Sequence, residues 1–258
     1  MSLKINWASY CCRWVGTALS FSLFGIGGIL IPLVGMPIIY IMPGDQSRRE
    51  IRAKRLIQVS FQAFIGFMKF FGVLTHRIEG LEKLENASLV LANHPTLIDV
   101  IFLISLIPNA NCVVKGKLVS NPFTRGPIKA AGYIINDEAE DIIEAAGKAF
   151  ARGQVLIVFP EGTRTTPDEP LKFKRGAANI AIRTGTDITP VMIDCSPLSL
   201  TKNAPWYRIP PKSMHFQISV RDNFEINQYV EDVPPSLGAR MLSRDLCGYF
   251  KKELECYG

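Results

Sequence analysis

The sequence predicts an α/β protein with a mostly parallel central sheet flanked by helices, preceded by an N-terminal apolar membrane-anchoring helical segment. Three observations predict it. Trp14–Gly44 holds no charged residue. After residue 76, short apolar β-type runs alternate with helix-like stretches, the pattern of a parallel sheet with helical crossovers. Polar clusters then stand directly behind two of the apolar runs, where open α/β sheets carry their sites. The 258 residues suffice for one sizeable domain and an appendage. We divide them into membrane-anchoring or interfacial helices over 1–75 and an α/β domain over 76–258.

The elements follow in order. The uncharged N-terminal stretch is longer than the ~30 Å hydrocarbon core requires of a helix. Gly25, Gly27, Gly28, Pro32, Gly35 and Pro37 offer places for a break, so a spanning helix and a re-entrant hairpin in one leaflet both remain open. Arg48, Arg49, Arg52, Lys54 and Arg55 follow, against Lys4 and Arg13 before it. The positive-inside rule therefore sets the later residues on the cytoplasmic face of the (inner) membrane. Residues 56–74 hold one charge, Lys69, and five phenylalanines; they read as a helix in the membrane interface, with a buried core helix as the alternative.

Strands are expected at 88–92, 111–115, 132–135, 154–159, 188–193 and 214–224. Helices are expected near 97–107, 122–131, 137–152, 174–184 and 236–255. The clearest is 137–152, with acids in its first turns, bases in its last and Gly153 beyond.

Lys and Arg number 29 against 23 Asp and Glu, a net charge of +6. That balance suits an anionic membrane surface or nucleic acid. No Lys/Arg run with interleaved aromatics is present, so we expect membrane lipids as partners and no nucleic acid. Six cysteines show neither CxxC nor Cys/His ligand spacing; we expect reduced thiols and no metal site.

The first polar cluster is Asn93-His94-Pro95 after "LVLA". Pro95 fits a first helical position, which would set His94 in the turn before a helix and Asp99 one turn inside it. From there the imidazole can fold back on the carboxylate. The carboxylate would fix the tautomer and leave the other ring nitrogen to take a proton from a hydroxyl. A histidine that caps a helix satisfies the same pattern. The second cluster, Pro160-Glu161-Gly162-Thr163-Arg164 after "VLIVF", offers a compact turn with a guanidinium suited to phosphate; a surface Glu–Arg turn would look the same. The chain has no GxSxG, GxxxxGK[ST], GxGxxG or HExxH motif. Direct transfer to a deprotonated acceptor hydroxyl is therefore the simplest use of a His–Asp pair.

These residues resemble the glycerolipid (lysophospholipid) acyltransferase family, of the 1-acylglycerol-3-phosphate acyltransferase type. "NHPTLID" resembles its NHxxxxD block, "FPEGTR" (159–164) stands intact, "FKRGAANIA" (173–181) is similar to its FKxGxxxxA, and "ITPVMI" to its proline-centred fourth block. The resemblance implies acyl transfer from acyl-CoA or acyl-acyl-carrier-protein to a lipid hydroxyl, with that donor as co-substrate and no cofactor. It implies His94 as general base and Asp99 as its orienting partner. Arg164 would bind acceptor phosphate, Glu161, Gly162 and Pro190 would shape the pocket, and Asn93, Lys117, Arg125, Thr163 and Arg175 would complete the substrate-binding set.

One departure stands out. Where the family's second block ends in Asp-Arg, "GYIINDE" has Asp137 and Glu138. A reversed charge weakens binding of an anionic acceptor. Either Lys115, Lys117 or Arg125 compensates, or the acceptor is a phosphate-free lipid alcohol, as a faint likeness to acyltransferases of aryl-polyene lipid assembly suggests. A lipid- or carrier-protein-binding relative without catalysis is the rival from another class. Phosphatidic acid synthesis is the leading expectation.

Overall fold

The structure, a computed structural model, describes residues 7–136, 139–166, 169–202 and 204–256. Helix α1 (Trp7–Leu30) runs through one π turn (Ile31–Gly35) into α2 (Met36–Ile41). The glycine trio does not break it. The disruption falls at Pro32, whose missing N–H and ring are accommodated by the wider turn. Residues 7–41 form one apolar helix of 35 residues, long enough by length and composition to cross a membrane.

Helix α3 (Gln46–Phe70) begins ten residues before the apolar run expected to carry it, because Asp45 caps it by accepting the Arg48 N–H at 2.9 Å. Its Ala53, Ile57, Phe64, Ile65 and Met68 recur at helical spacing and enter the same core as the sheet. The 56–74 segment is thus the later half of a helix with one face in the core, and its opposite face, with Val59, Gln62, Ala63, Gly66, Lys69 and Phe70, is exposed. Helix α1 returns antiparallel along α3. Gly16 permits the approach, since a Cβ there would lie 2.5 Å from that of Phe71, and Phe24 packs edge-on against Phe64.

The sheet has the order β1-β7-β6-β2-β5-β3-β4. Its strands are β1 (Leu74–Glu79), β2 (Leu89–Ala92), β3 (Ala110–Lys115), β4 (Ile134–Asn136), β5 (Val155–Val158), β6 (Ile188–Ser196) and β7 (Met214–Val220). All pairings are parallel except β6–β7. Crossovers are made by α4 (Asp99–Leu106), the pair α5 (Gly116–Ser120) and α6 (Pro122–Ala130), α7 (Ala139–Ala151) and α8 (Gly176–Thr184), and α9 (Pro235–Glu255) packs on α8. Strand β1 is the strand missing from the sequence reading. It is an edge strand, and its His76, Arg77 and Glu79 hide the apolar signal.

Pro190 occupies an interior position of β6 opposite Leu91, which a proline tolerates only where no ladder bond is due. Its carbonyl accepts from the Arg221 N–H just past β7, and the antiparallel pairing resumes only at Ile188 with Phe224. The missing N–H falls in the irregular step between the two.

Candidate active site

Strands β2 and β5 are neighbours, and their carboxyl ends bring the two polar clusters together. Asn93 continues β2 beyond its last backbone pair. Its side-chain amide donates to the Ile193 carbonyl at 2.7 Å and accepts the Ile193 N–H at 2.8 Å, imitating a strand residue against β6. His94 is then held by its backbone. Its N–H donates to Glu161 Oε1 at 2.9 Å, and its carbonyl accepts the Thr165 N–H at 2.7 Å. Phe159 stacks on the imidazole with centroids 4.2 Å apart.

The imidazole reaches Asp99 with Nδ1 2.8 Å from Oδ2. Asp99 is fully buried. It also accepts the Thr96 N–H at 2.7 Å and the Thr96 hydroxyl. Burial pushes the Asp99 carboxyl above the ordinary carboxylate range, opposed by the hydrogen bonds from His94 and Thr96. With Nδ1 engaged, Nε2 is the ring nitrogen left for chemistry. The sequence reading placed Pro95 inside the helix; α4 instead starts at Asp99, after a turn over 96–98. The turn is closed by Asp99 itself accepting from Thr96, so the helix cannot begin earlier. Thr96 was missed because only its geometry, not its type, marks it.

Glu161 is 8 % exposed and accepts from both the His94 N–H and the Thr165 hydroxyl, the latter at 2.9 Å. Burial pushes its carboxyl up, against those two bonds. Gly162 has φ +68°, a conformation that calls for glycine, and it faces the flexible end of Lys174. The Arg164 guanidinium donates to the carbonyls of Leu200 (3.1 Å), Thr201 (2.9 Å) and, more weakly, Lys202 (3.4 Å).

A cleft of about 670 Å³ opens at these residues. His94, Thr163, Arg164, Lys174 and Lys202 line its polar part, and Val113, Ile142, Ile143, Ile157, Val158 and Ile180 its apolar part. Lys174 and Lys202 are the cations that sequence reasoning missed. Lys174 stands in the quoted "FKRG" but was not singled out, and Lys202 lies in a loop with no motif. Asn93, Arg125, Glu161, Arg175 and Pro190 are not among the cleft's described lining. Asn93 and Pro190 are buried, one as a clamp and one inside β6, while Arg125 and Arg175 are exposed. The side chains of Lys115 and Lys117, and Asp137 and Glu138 altogether, lie outside the described residues.

An imidazole held by a buried carboxylate, at the strand ends of a parallel sheet, beside a cleft with cationic and apolar parts, defines a class of α/β protein. It is suited to deprotonating a hydroxyl next to a long apolar chain. The particular family follows from comparison. Residues 75–194 match the acyltransferase family model. A 1-acyl-sn-glycerol-3-phosphate acyltransferase of Cocos nucifera is 29 % identical over 165 residues, which span 60 % of this chain and 54 % of the relative. The enzyme of the same name from Helicobacter pylori is 29 % identical over 134 residues, spanning 49 % of this chain and 56 % of the relative. The chain thus spans about half the length of the curated relatives it matches. The crystal structure of the 1-acyl-sn-glycerophosphate acyltransferase PlsC from Thermotoga maritima shares the fold, with a TM-score of 0.64 at 17 % identity over 93 % of this chain and 99 % of that one.

Proposed function

We propose that this protein is a membrane-bound O-acyltransferase that moves a fatty acyl group from acyl-CoA or acyl-acyl-carrier-protein to the hydroxyl of 1-acylglycerol-3-phosphate, giving phosphatidic acid. The observation that carries the reading is the His94–Asp99 pair at 2.8 Å, at the rim of a cleft that is cationic on one side and apolar on the other. His94 Nε2 takes the proton of the acceptor hydroxyl as its oxygen attacks the thioester carbonyl. The C–O bond forms, the C–S bond breaks, and the imidazolium returns the proton to the leaving thiolate. Asp99 supports the imidazolium and holds the tautomer. Arg164, Lys174 and Lys202 attract the acceptor's phosphate, and the aliphatic part of the cleft takes an acyl chain.

The same reading places α1 in one leaflet, with the domain on the cytoplasmic side. Arg13 donates to the Pro210 and Pro211 carbonyls, and Pro32 packs against Gly126, so one helix touches the α/β unit near both ends. Those contacts are separated by about 28 Å of helix, close to the whole hydrocarbon thickness. A spanning helix would drag the globular unit into the bilayer. A helix lying in the plane does not, and it leaves Trp14, Leu23, Ile26, Leu30 and Leu33 outward for lipid.

Glu138, standing where the family has arginine, favours a second reading in which the acceptor is a phosphate-free lipid alcohol. Acyl transfer by detergent-purified protein tests both. Both donors are offered with lysophosphatidic acid and with a panel of lipid alcohols, and His94→Ala serves as control. Turnover of lysophosphatidic acid that depends on His94 supports the first reading, turnover of alcohols alone supports the second, and no turnover of either defeats both.

A further inference from the structure

The segment 197–213 between β6 and β7, Asn203 apart, touches both the site and the apolar N-terminal helix. At one end its Leu200, Thr201 and Lys202 carbonyls hold the Arg164 guanidinium, and Leu200 also accepts the Leu97 N–H at 3.0 Å. Lys202 lines the cleft. At the other end Arg13, itself only 6 % exposed, donates to Pro210 at 2.8 Å and Pro211 at 2.7 Å. In between, Phe21 of α1 meets the Trp206 ring at 5.1 Å. Yet Trp206 remains 43 % exposed and Tyr207 57 % exposed, their rings 5.8 Å apart and edge-on. Lys202, Arg208 and Lys212 are exposed around them.

Tryptophan and tyrosine with interspersed lysine and arginine is the composition that settles at the headgroup level of an anionic bilayer. The Phe21–Trp206 contact makes this surface continuous with the outward apolar face of α1. Resting on the one-leaflet reading of α1 above, we propose that the segment is a second bilayer-contact element. It rests Trp206 and Tyr207 among the headgroups, and this contact seats Lys202 and Arg164 for the acceptor. Trp206 and Tyr207 are positioning residues in this account, acting through the loop they anchor. An acidic carrier protein would meet the same positive charge, but it gives no reason for exposed rings against a lipid-facing helix.

The sequence has three tryptophans. Replacing Trp7 and Trp14, both exposed, by phenylalanine leaves Trp206 as the only emitter. In phosphatidylcholine/phosphatidylglycerol vesicles, Trp206 emission is expected to shift to the blue and to be quenched more by shallow than by deep spin-labelled lipid. An unquenched Trp206 overturns the proposal. Quenching by acyl carrier protein without vesicles, and not by lipid, overturns it in favour of a donor-docking surface. The reciprocal Trp206→Phe protein reports on α1 through Trp7 and Trp14, so failure of the one-leaflet reading and failure of the loop contact register separately. The Trp206→Ala/Tyr207→Ala variant is expected to raise the KM for vesicle-borne acceptor about five- to tenfold, as interfacial anchoring is lost. The donor KM and the KM for a short-chain, water-soluble acceptor should stay within about twofold. An equal rise in all three would overturn the coupling to the site.

Discussion

Two regions of the same sheet are built on opposite rules. At the carboxyl ends of β2 and β5, Asp99 accepts three hydrogen bonds, Glu161 two, and the Asn93 amide two more. Towards the β3–β4 edge of the sheet, Lys54, Cys112 and Tyr133 form a second buried group, with Glu50 and Arg152 bridging at 3.6 Å nearby. There Lys54 Nζ and the Tyr133 hydroxyl have no hydrogen-bond partner among the described residues. Burial pulls the Lys54 ammonium down to about 8, with Glu50 resisting, and pushes the Cys112 thiol up to about 12. Polar groups are expensive to bury in both regions. Only at the carboxyl ends are they also fully partnered, which is what holding one geometry for chemistry demands.

The largest expected effect tests the partnered region. Asp99→Asn keeps the shape but removes the charge that supports the imidazolium, and kcat should fall about 10³–10⁴-fold. Steady-state kinetics beside a thermal melt checks it; a tenfold loss or less would mean that Asp99 is structural. Next, Arg164→Ala removes charged hydrogen bonds and should raise the acceptor KM about 10–100-fold, well above its effect on the donor. Equal effects on the two would deny it a phosphate.

The unpartnered region makes the opposite prediction, that a substitution improves the protein. Lys54→Met should stabilise at pH 7 by up to roughly 3 kcal/mol, the cost of holding the ammonium in a site that lowers its pKa. The sign follows from the two values, about 8 folded and 10.5 unfolded. Below about 8 the folded chain bears the full penalty, and above 10.5 both states are neutral. The gain should therefore fade as pH rises between them, which urea unfolding at a series of pH values would follow. The smallest effect belongs to Glu161→Gln. Its carbonyl can still accept from His94 and Thr165, so activity should stay within about threefold, whereas Glu161→Ala would leave both donors unpaired and cost about 2–3 kcal/mol of stability.

Periodicity made most of the fold legible. The strand runs at 88–92, 111–115, 154–159 and 188–193 and the helices at 137–152, 174–184 and 236–255 lie within a few residues of the observed elements, because apolar runs bounded by turn residues are local signals. Strand β1 was hidden because an edge strand next to β7 needs few apolar residues. The His94–Asp99 pair was legible from spacing, but the origin of the α4 turn in Thr96 was not. Lys202 was invisible because its place by the cleft is set by a loop between β6 and β7, far along the chain. Arg13 misled in a different way. Read as a flanking charge that orients a membrane segment, it is buried and spends its guanidinium on two proline carbonyls.

The side chain of Asn93 stands in for one more residue of β2. The Ile193 amide proton is thereby held by an asparagine oxygen at the middle of the sheet, not by a fraying strand end. In hydrogen-exchange experiments it should open only with the whole domain, on the slowest timescale the protein offers. His94, the next residue along, inherits that clock: its backbone, bonded to Glu161 and Thr165, should open only in the same slow event.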